Sequence, residues 1–282
     1  MSDALDVVGL FRHAFAASLL VGLACGLLGV HVVARRMITA GLALPQVAAF
    51  GIALGLVLVS HEDGHAGHAV EGPSAHAIAL LCVLAAAALL AWRRAQRGIG
   101  QPAIAGVLFA GSGAFTILLM AHSALGMEEV HHLVEGNVLA VGEADLVRLL
   151  AALVPVVIFL VAGARRLLFC TFDGEMAATL GIRTRLWDAG FHAAFAVTAA
   201  VAVHATGTLF VFAFLVLPGA AGVLLGRTGA GTSGIAAGVA VLAAASGFVA
   251  SASAWDTPTG PTCAAAALVG FLLVAAIAAL RR

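Results

Sequence analysis

The chain has 282 residues, 62% of them hydrophobic and only 10% charged, with a mean hydropathy of +1.11, against about 25% charged in an ordinary soluble domain. Fourteen acidic and fourteen basic residues cannot cover the surface of a soluble protein of this length, so the chain is read as a membrane protein. The basic residues are all arginine and the formal net charge is zero. With no global basic field, nucleic-acid binding is excluded.

Long unbroken apolar runs exclude an outer-membrane barrel, whose strands alternate polarity over about 10 residues. The 33 glycines and many alanines suit helices that pack closely through small side chains. Cys25, Cys82, Cys170 and Cys263 stand singly, so neither a disulfide framework nor a thiolate zinc knuckle is indicated. The first 13 residues hold Asp3, Asp6 and Arg12 and lack the basic start of a cleaved leader. The first helix is therefore expected in the mature protein.

A helix crosses the hydrocarbon in about 20 residues. In chain order, 13–34, 37–60, 72–92, 98–127 and 149–164 each hold one span, and 189–226 runs 38 residues without a formal charge. That run is long enough for two spans, divided near Ala205, Thr206 and Gly207, where glycine permits the turn. Spans at 229–250 and 262–280 complete nine. The expected fold is all-α: one polytopic transmembrane helical bundle over residues 1–282.

Nine spans place Arg35, Arg36, Arg93, Arg94, Arg97, Arg165, Arg166, Arg183, Arg185, Arg227, Arg281 and Arg282 on one side and only Arg12 and Arg148 on the other. The positive-inside rule then puts the N-terminus outside and the C-terminus inside. Acidic residues run oppositely, which gives the outer surface an attraction for cations.

Between spans five and six, Thr171 to Ile182 reads as a short helix outside the membrane. Asp173 can cap its start, Glu175 lies in the first turn where the macrodipole favours an anion, and Gly181 sits where a C-terminal glycine belongs. Phe172, Met176 and Leu180 recur at i, i+4, i+8 and form an apolar stripe. The stripe packs either on the protein's own helix ends or on a partner.

Nine of the eleven histidines fall at or beyond the outer membrane edge: His13, His61, His65, His68, His76, His122, His131, His132 and His204. The loop 61–76 carries His61, Glu62, Asp63, His65, His68 and His76 among glycines, a flexible set of imidazoles and carboxylates suited to capturing zinc or its neighbours. Glu128, His131 or His132, and Glu135 share one face if that stretch is helical; an ordinary solvated face fits the same spacing. Within the bilayer the polar candidates are few: Gln46 beside Pro45, His192, Thr198 and His204.

Phe172-Asp173-Gly174-Glu175 followed by Leu180-Gly181-Ile182 resembles the "FDPE…GI" segment of the membrane permease subunits of metal-ion ABC transporters, the zinc/manganese/iron uptake family. Arg35-Arg36-Met37, Glu135-Gly136-Asn137-Val138-Leu139 with Asp145-Leu146, Leu217-Pro218-Gly219-Ala220-Ala221 after Gly207, and Pro258-Thr259-Gly260-Pro261-Thr262 agree in the same order along nearly the whole chain.

The resemblance implies that 172–182 is a coupling helix docking on a cytoplasmic ATPase, through Phe172, Asp173, Glu175, Met176, Leu180 and Gly181. It also implies a dimer of permeases, an extracytoplasmic metal-binding protein that delivers the ion, and a place in the bacterial inner membrane. Such permeases carry an Asp and a His in a "GDALSHA"-like segment of span two. The matching stretch here is Gly41-Leu42-Ala43-Leu44-Pro45-Gln46-Val47, with Leu42 and Gln46 at those positions. Leucine cannot ligate a cation and an amide replaces imidazole weakly. Position 204 resembles one where the family often has Gln, so His204 is expected to restore the lost imidazole.

No G-x-x-x-x-G-K-[ST] loop occurs, so nucleotide would be hydrolysed by a separate chain and this one is not expected to be an enzyme. The expected cargo is a divalent metal, zinc ahead of manganese or iron, with no permanently bound cofactor. Two other readings remain. An autonomous secondary transporter would need intramembrane carboxylates, and none lies centrally in a span. A non-conducting permease-like scaffold or sensor would suit Leu42 and Gln46.

Overall fold

The computed structural model describes residues 11–63, 73–94, 100–121, 136, 138–252 and 257–281. Among them there is no strand. The helices are α1 (Arg12–Ala34), α2 (Ile38–Asp63), α3 (Pro73–Arg94), α4 (Gln101–Ala121), α5 (Glu143–Ala162), α6 (Ala164–Phe172), α7 (Gly174–Thr179), α8 (Thr184–Leu225), α9 (Gly229–Ala250) and α10 (Thr259–Leu280). All but α6 and α7 are long and apolar enough to cross a bilayer.

At about 1.5 Å per residue the 42 residues of α8 would span roughly 63 Å, twice the hydrocarbon thickness. The chain instead reverses at Gly207, whose φ of 78° and ψ of 165° lie in a region open essentially to glycine alone. Both arms return to one end of α1. Asp188 and Phe191 from the first arm meet Arg35 and His31, while Leu215, Pro218 and Gly219 from the second pack on Gly26, Gly29 and Val30. The charge-free run is therefore two antiparallel helices, 184–206 and 208–225.

Close approach through small residues holds the centre together, since lipid gives helices no hydrophobic reason to associate. On α1, Gly22 faces Phe214 and Gly26 faces Ala240, while a side chain at Gly29 would overlap the Leu215 carbonyl. On α2, Gly51 and Gly55 lie against the backbones of Ala79 and Ala75. Phe191, Phe195, Phe210, Phe214 and Phe248 fill the interior between α1, α8 and α9, and the Phe210 and Phe214 rings stack with centroids 4.1 Å apart. Helices α4 and α10 stay largely exposed, with Val107, Phe115, Leu118, Leu272 and Leu273 outermost, as suits helices facing lipid or a second copy.

Two local expectations are corrected. His61 and His76 are not loop residues: His61 falls in the last turn of α2 and His76 in the first turn of α3. Apolar character stops near residue 60, yet nothing breaks the backbone before Gly64, and Pro73, with its fixed φ, opens the next helix. Phe172 ends α6 instead of joining Met176 and Leu180 on one helix. Asp173 between them adopts φ −147° and ψ 87°, the non-helical geometry of an N-cap.

Candidate coupling segment and metal-facing histidines

The arginine-rich end of the bundle is built around α6 and α7. The Asp173 carboxylate accepts a hydrogen bond from the Met176 amide at 2.8 Å, satisfying one of the first-turn donors. At the other end of α7, Gly181 has φ +77°. Its amide donates to Ala178 O and the Ile182 amide to Ala177 O, each at 3.0 Å, a Schellman closure. Of this short helix only Ala177 is buried. Phe172, Met176 and Leu180 are 76%, 57% and 60% exposed, and Glu175 is exposed beside them. A groove of about 590 Å³ runs along Leu168, Phe169, Phe172 and Met176 to Gly229 and Ala230 at the start of α9. The segment thus presents a capped apolar edge that the described residues leave uncovered.

An ion pair that spacing does not reveal ties this segment to the bundle. Arg35 follows α1; its Nη1 donates to Asp188 Oδ1 at 2.6 Å and its Nε to Thr171 Oγ1 of α6 at 3.0 Å. The guanidinium lies 4.4 Å from the centroid of the Phe191 ring, a cation–π contact. Arg166 lies similarly over Trp187 at 5.4 Å. Arg35 therefore joins α1, α6 and the first arm of α8. The Cys170 thiol beside it is pushed above its ordinary value by burial and then by the Asp188 charge, against Arg35 and a backbone hydrogen bond.

At the opposite end the hairpin tip is tightly enclosed. Gly136, with φ +76°, packs so closely that a Cβ there would overlap the Thr206 carbonyl. Three residues before Gly207, His204 meets His76 of α3, their ring centroids 4.3 Å apart and the planes inclined at 67°. Both rings are half-buried. Asp145 and Arg148 pair at 3.1 Å in the first turns of α5.

Gln46 is elsewhere. Its amide faces Gly113 on α4, and nine residues of α2, about 13 Å of helix, separate it from Gly55, which packs at the level of Ala75. Of the sequence-derived metal candidates the structure brings together His76 and His204, and it does not set Gln46 at their level. His61 lies in α2 with its side chain outside the described residues, as are His65, His68, Glu128, His131, His132 and Glu135. Among the described residues no group of three or more His, Cys, Asp or Glu side chains is arranged to hold a metal. His192, another intramembrane candidate, is buried with Nδ1 hydrogen-bonded to Asp188 O at 2.8 Å, which fits a packing role.

Comparison with known proteins agrees with this architecture. The chain is 30% identical over 153 residues to an uncharacterized membrane protein of Cyanophora paradoxa from the ycf23-apcF intergenic region, covering 53% of this chain and 50% of that one. It is 25% identical over 214 residues to the manganese transport system membrane protein MntC of Halalkalibacterium halodurans, covering 76% and 69%. The match thus spans half the length of the first relative and about two thirds of the second. Its fold is shared with a chain of the PsaBC complex from Streptococcus pneumoniae bound to a Fab, with a TM-score of 0.82 and 19% identity over 97% of this chain and 94% of that one. A model of the ABC 3 transport family matches residues 8–278, and the chain belongs to that family.

Proposed function

We propose that the protein is the permease subunit of an ATP-driven divalent-metal importer, carrying manganese, zinc or ferrous iron through alternating access. The observation that carries the reading is the exposed apolar edge formed by Phe172 at the end of α6 and by Met176 and Leu180 on and just after the capped helix α7. Three large apolar side chains held outside the bilayer mark a surface for a protein partner. With no phosphate-binding loop in the sequence, a cytoplasmic ATPase subunit is the partner that family membership favours. The manganese transport named for MntC supports a divalent cargo and places manganese beside the zinc suggested by the histidines.

In this reading the arginine-rich end faces the cytoplasm, in accord with the positive-inside rule. An extracytoplasmic binding protein delivers the ion to the histidine end, and a second copy of the chain completes the pathway. Motion of the ATPase reaches the pathway through Thr171, Arg35 and Asp188, since these link the docking segment to the hairpin. Prolines at 45 and 218 remove backbone donors inside α2 and α8 and loosen the hydrogen bonding of those helices.

A second reading, a permease-like scaffold that does not conduct, is favoured by Leu42 and Gln46. Co-purification of the ATPase subunit with the chain, and metal-stimulated hydrolysis by the pair, separates the two. The transporter gives both, and Met176→Glu or Leu180→Glu abolishes both while leaving the permease monodisperse. A scaffold gives association without metal stimulation, and retention of the ATPase by Met176→Glu contradicts the docking surface.

A further inference from the structure

We infer that His76 and His204 form a two-imidazole site for a divalent cation at the histidine end of the bundle. The inference rests on the metal-transport reading for its purpose, though the contact itself is a matter of geometry.

The two histidines come from separate elements, the first turn of α3 and the last turn of the first arm of α8, and meet ring to ring at 4.3 Å. Imidazole is a ligand for zinc, iron and their neighbours. Two imidazoles on one tetrahedral ion, with metal–nitrogen bonds of about 2.0–2.1 Å, hold their centroids about 5 Å apart. Capture therefore asks the rings to turn and part by less than about 1 Å, a displacement that side-chain rotation provides.

The position gives the pair a consequence. His204 stands three residues from Gly207, where the chain reverses, and Gly136 closes on Thr206 beside it. An ion held by His76 and His204 bridges α3 to the tip of the hairpin. The other end of that hairpin carries Asp188, joined through Arg35 to α6.

The experiment uses the full-length chain in detergent with His61, His65, His68, His131 and His132 replaced by Asn, so that other imidazoles do not mask the pair, and titrates Zn²⁺ and Mn²⁺ by calorimetry. His76→Ala and His204→Ala should each lower Zn²⁺ affinity at least tenfold, with the double variant little weaker than either. His204→Cys, which returns a zinc ligand, should recover the affinity, and this variant keeps the test decisive if an Ala variant folds poorly. Unchanged affinity in both single variants, or a loss at His204→Ala that His204→Cys does not restore, overturns the site and leaves the pair a packing contact. Zn²⁺ binding that depends on both histidines, in a complex that takes up no metal, would uphold the site and defeat the transport reading instead.

Discussion

Removing Asp188 should damage the protein far more than removing the arginine it pairs with. The Arg35 side chain is 1% exposed and that of Asp188 44% exposed. Asp188→Ala removes the carboxylate from a buried guanidinium that keeps its contacts to Thr171 and Phe191, and breaking a buried pair in this way costs about 3 kcal/mol. Arg35→Met takes the buried charge away, keeps apolar volume against Phe191, and leaves Asp188 with water on one side. Its cost is the lost hydrogen bonds to Asp188 and Thr171 and the ring contact, about 1–2 kcal/mol together. The double variant should then be more stable than Asp188→Ala alone. Thermal unfolding of the purified permease in detergent reads this as a ranking, with Asp188→Ala lowered by roughly 6–12 °C at about 2–4 °C per kcal/mol. A double variant no more stable than Asp188→Ala, or Arg35→Met the worst of the three, would refute the view that the buried guanidinium sets the energetics of this junction.

Gly29→Val should abolish a monodisperse folded product, because its side chain meets the Leu215 carbonyl; Gly234→Val, with open space around it, should not. Size-exclusion profiles check the pair. Gly207→Ala should cost about 1–3 kcal/mol through strain at the reversal, read as a lowered unfolding midpoint, and a neutral result would mean the hairpin turn lies elsewhere. Alkylation of Cys170 by maleimide should need a higher pH than a free thiol, since the raised thiol value leaves less thiolate near neutrality; Asp188→Asn removes one cause of the rise and should speed the reaction at pH 7.5.

Much of this architecture is legible because apolar run length and punctuation are local properties. The division of 189–226 at Gly207 follows from length and one glycine, and the cap at Asp173 with the closure at Gly181 follows from residue type at fixed spacing. Run length misplaces His61 and His76, because helices extend past the apolar run: α2 continues through Asp63 and α3 already begins at Pro73. The Arg35–Asp188 pair joins residues 153 apart in sequence. Neither it nor the meeting of His76 with His204 has any periodic signature, because both depend on how α1, α3 and the hairpin cross. A signal for the first was present all the same: Asp188 is the acid of the fifth-to-sixth connection that stands at the edge of a span, and a carboxylate there needs a partner.

The central claim is that this chain conducts metal only when a nucleotide-hydrolysing partner works through the edge formed by Phe172, Met176 and Leu180. Reconstitution into lipid vesicles with the ATPase subunit, followed by uptake of Mn²⁺ and Zn²⁺, tests it most directly. Uptake should require the ATPase and ATP together and should vanish with Met176→Glu. Metal entering vesicles that contain the permease alone, or uptake untouched by that substitution, would contradict the account.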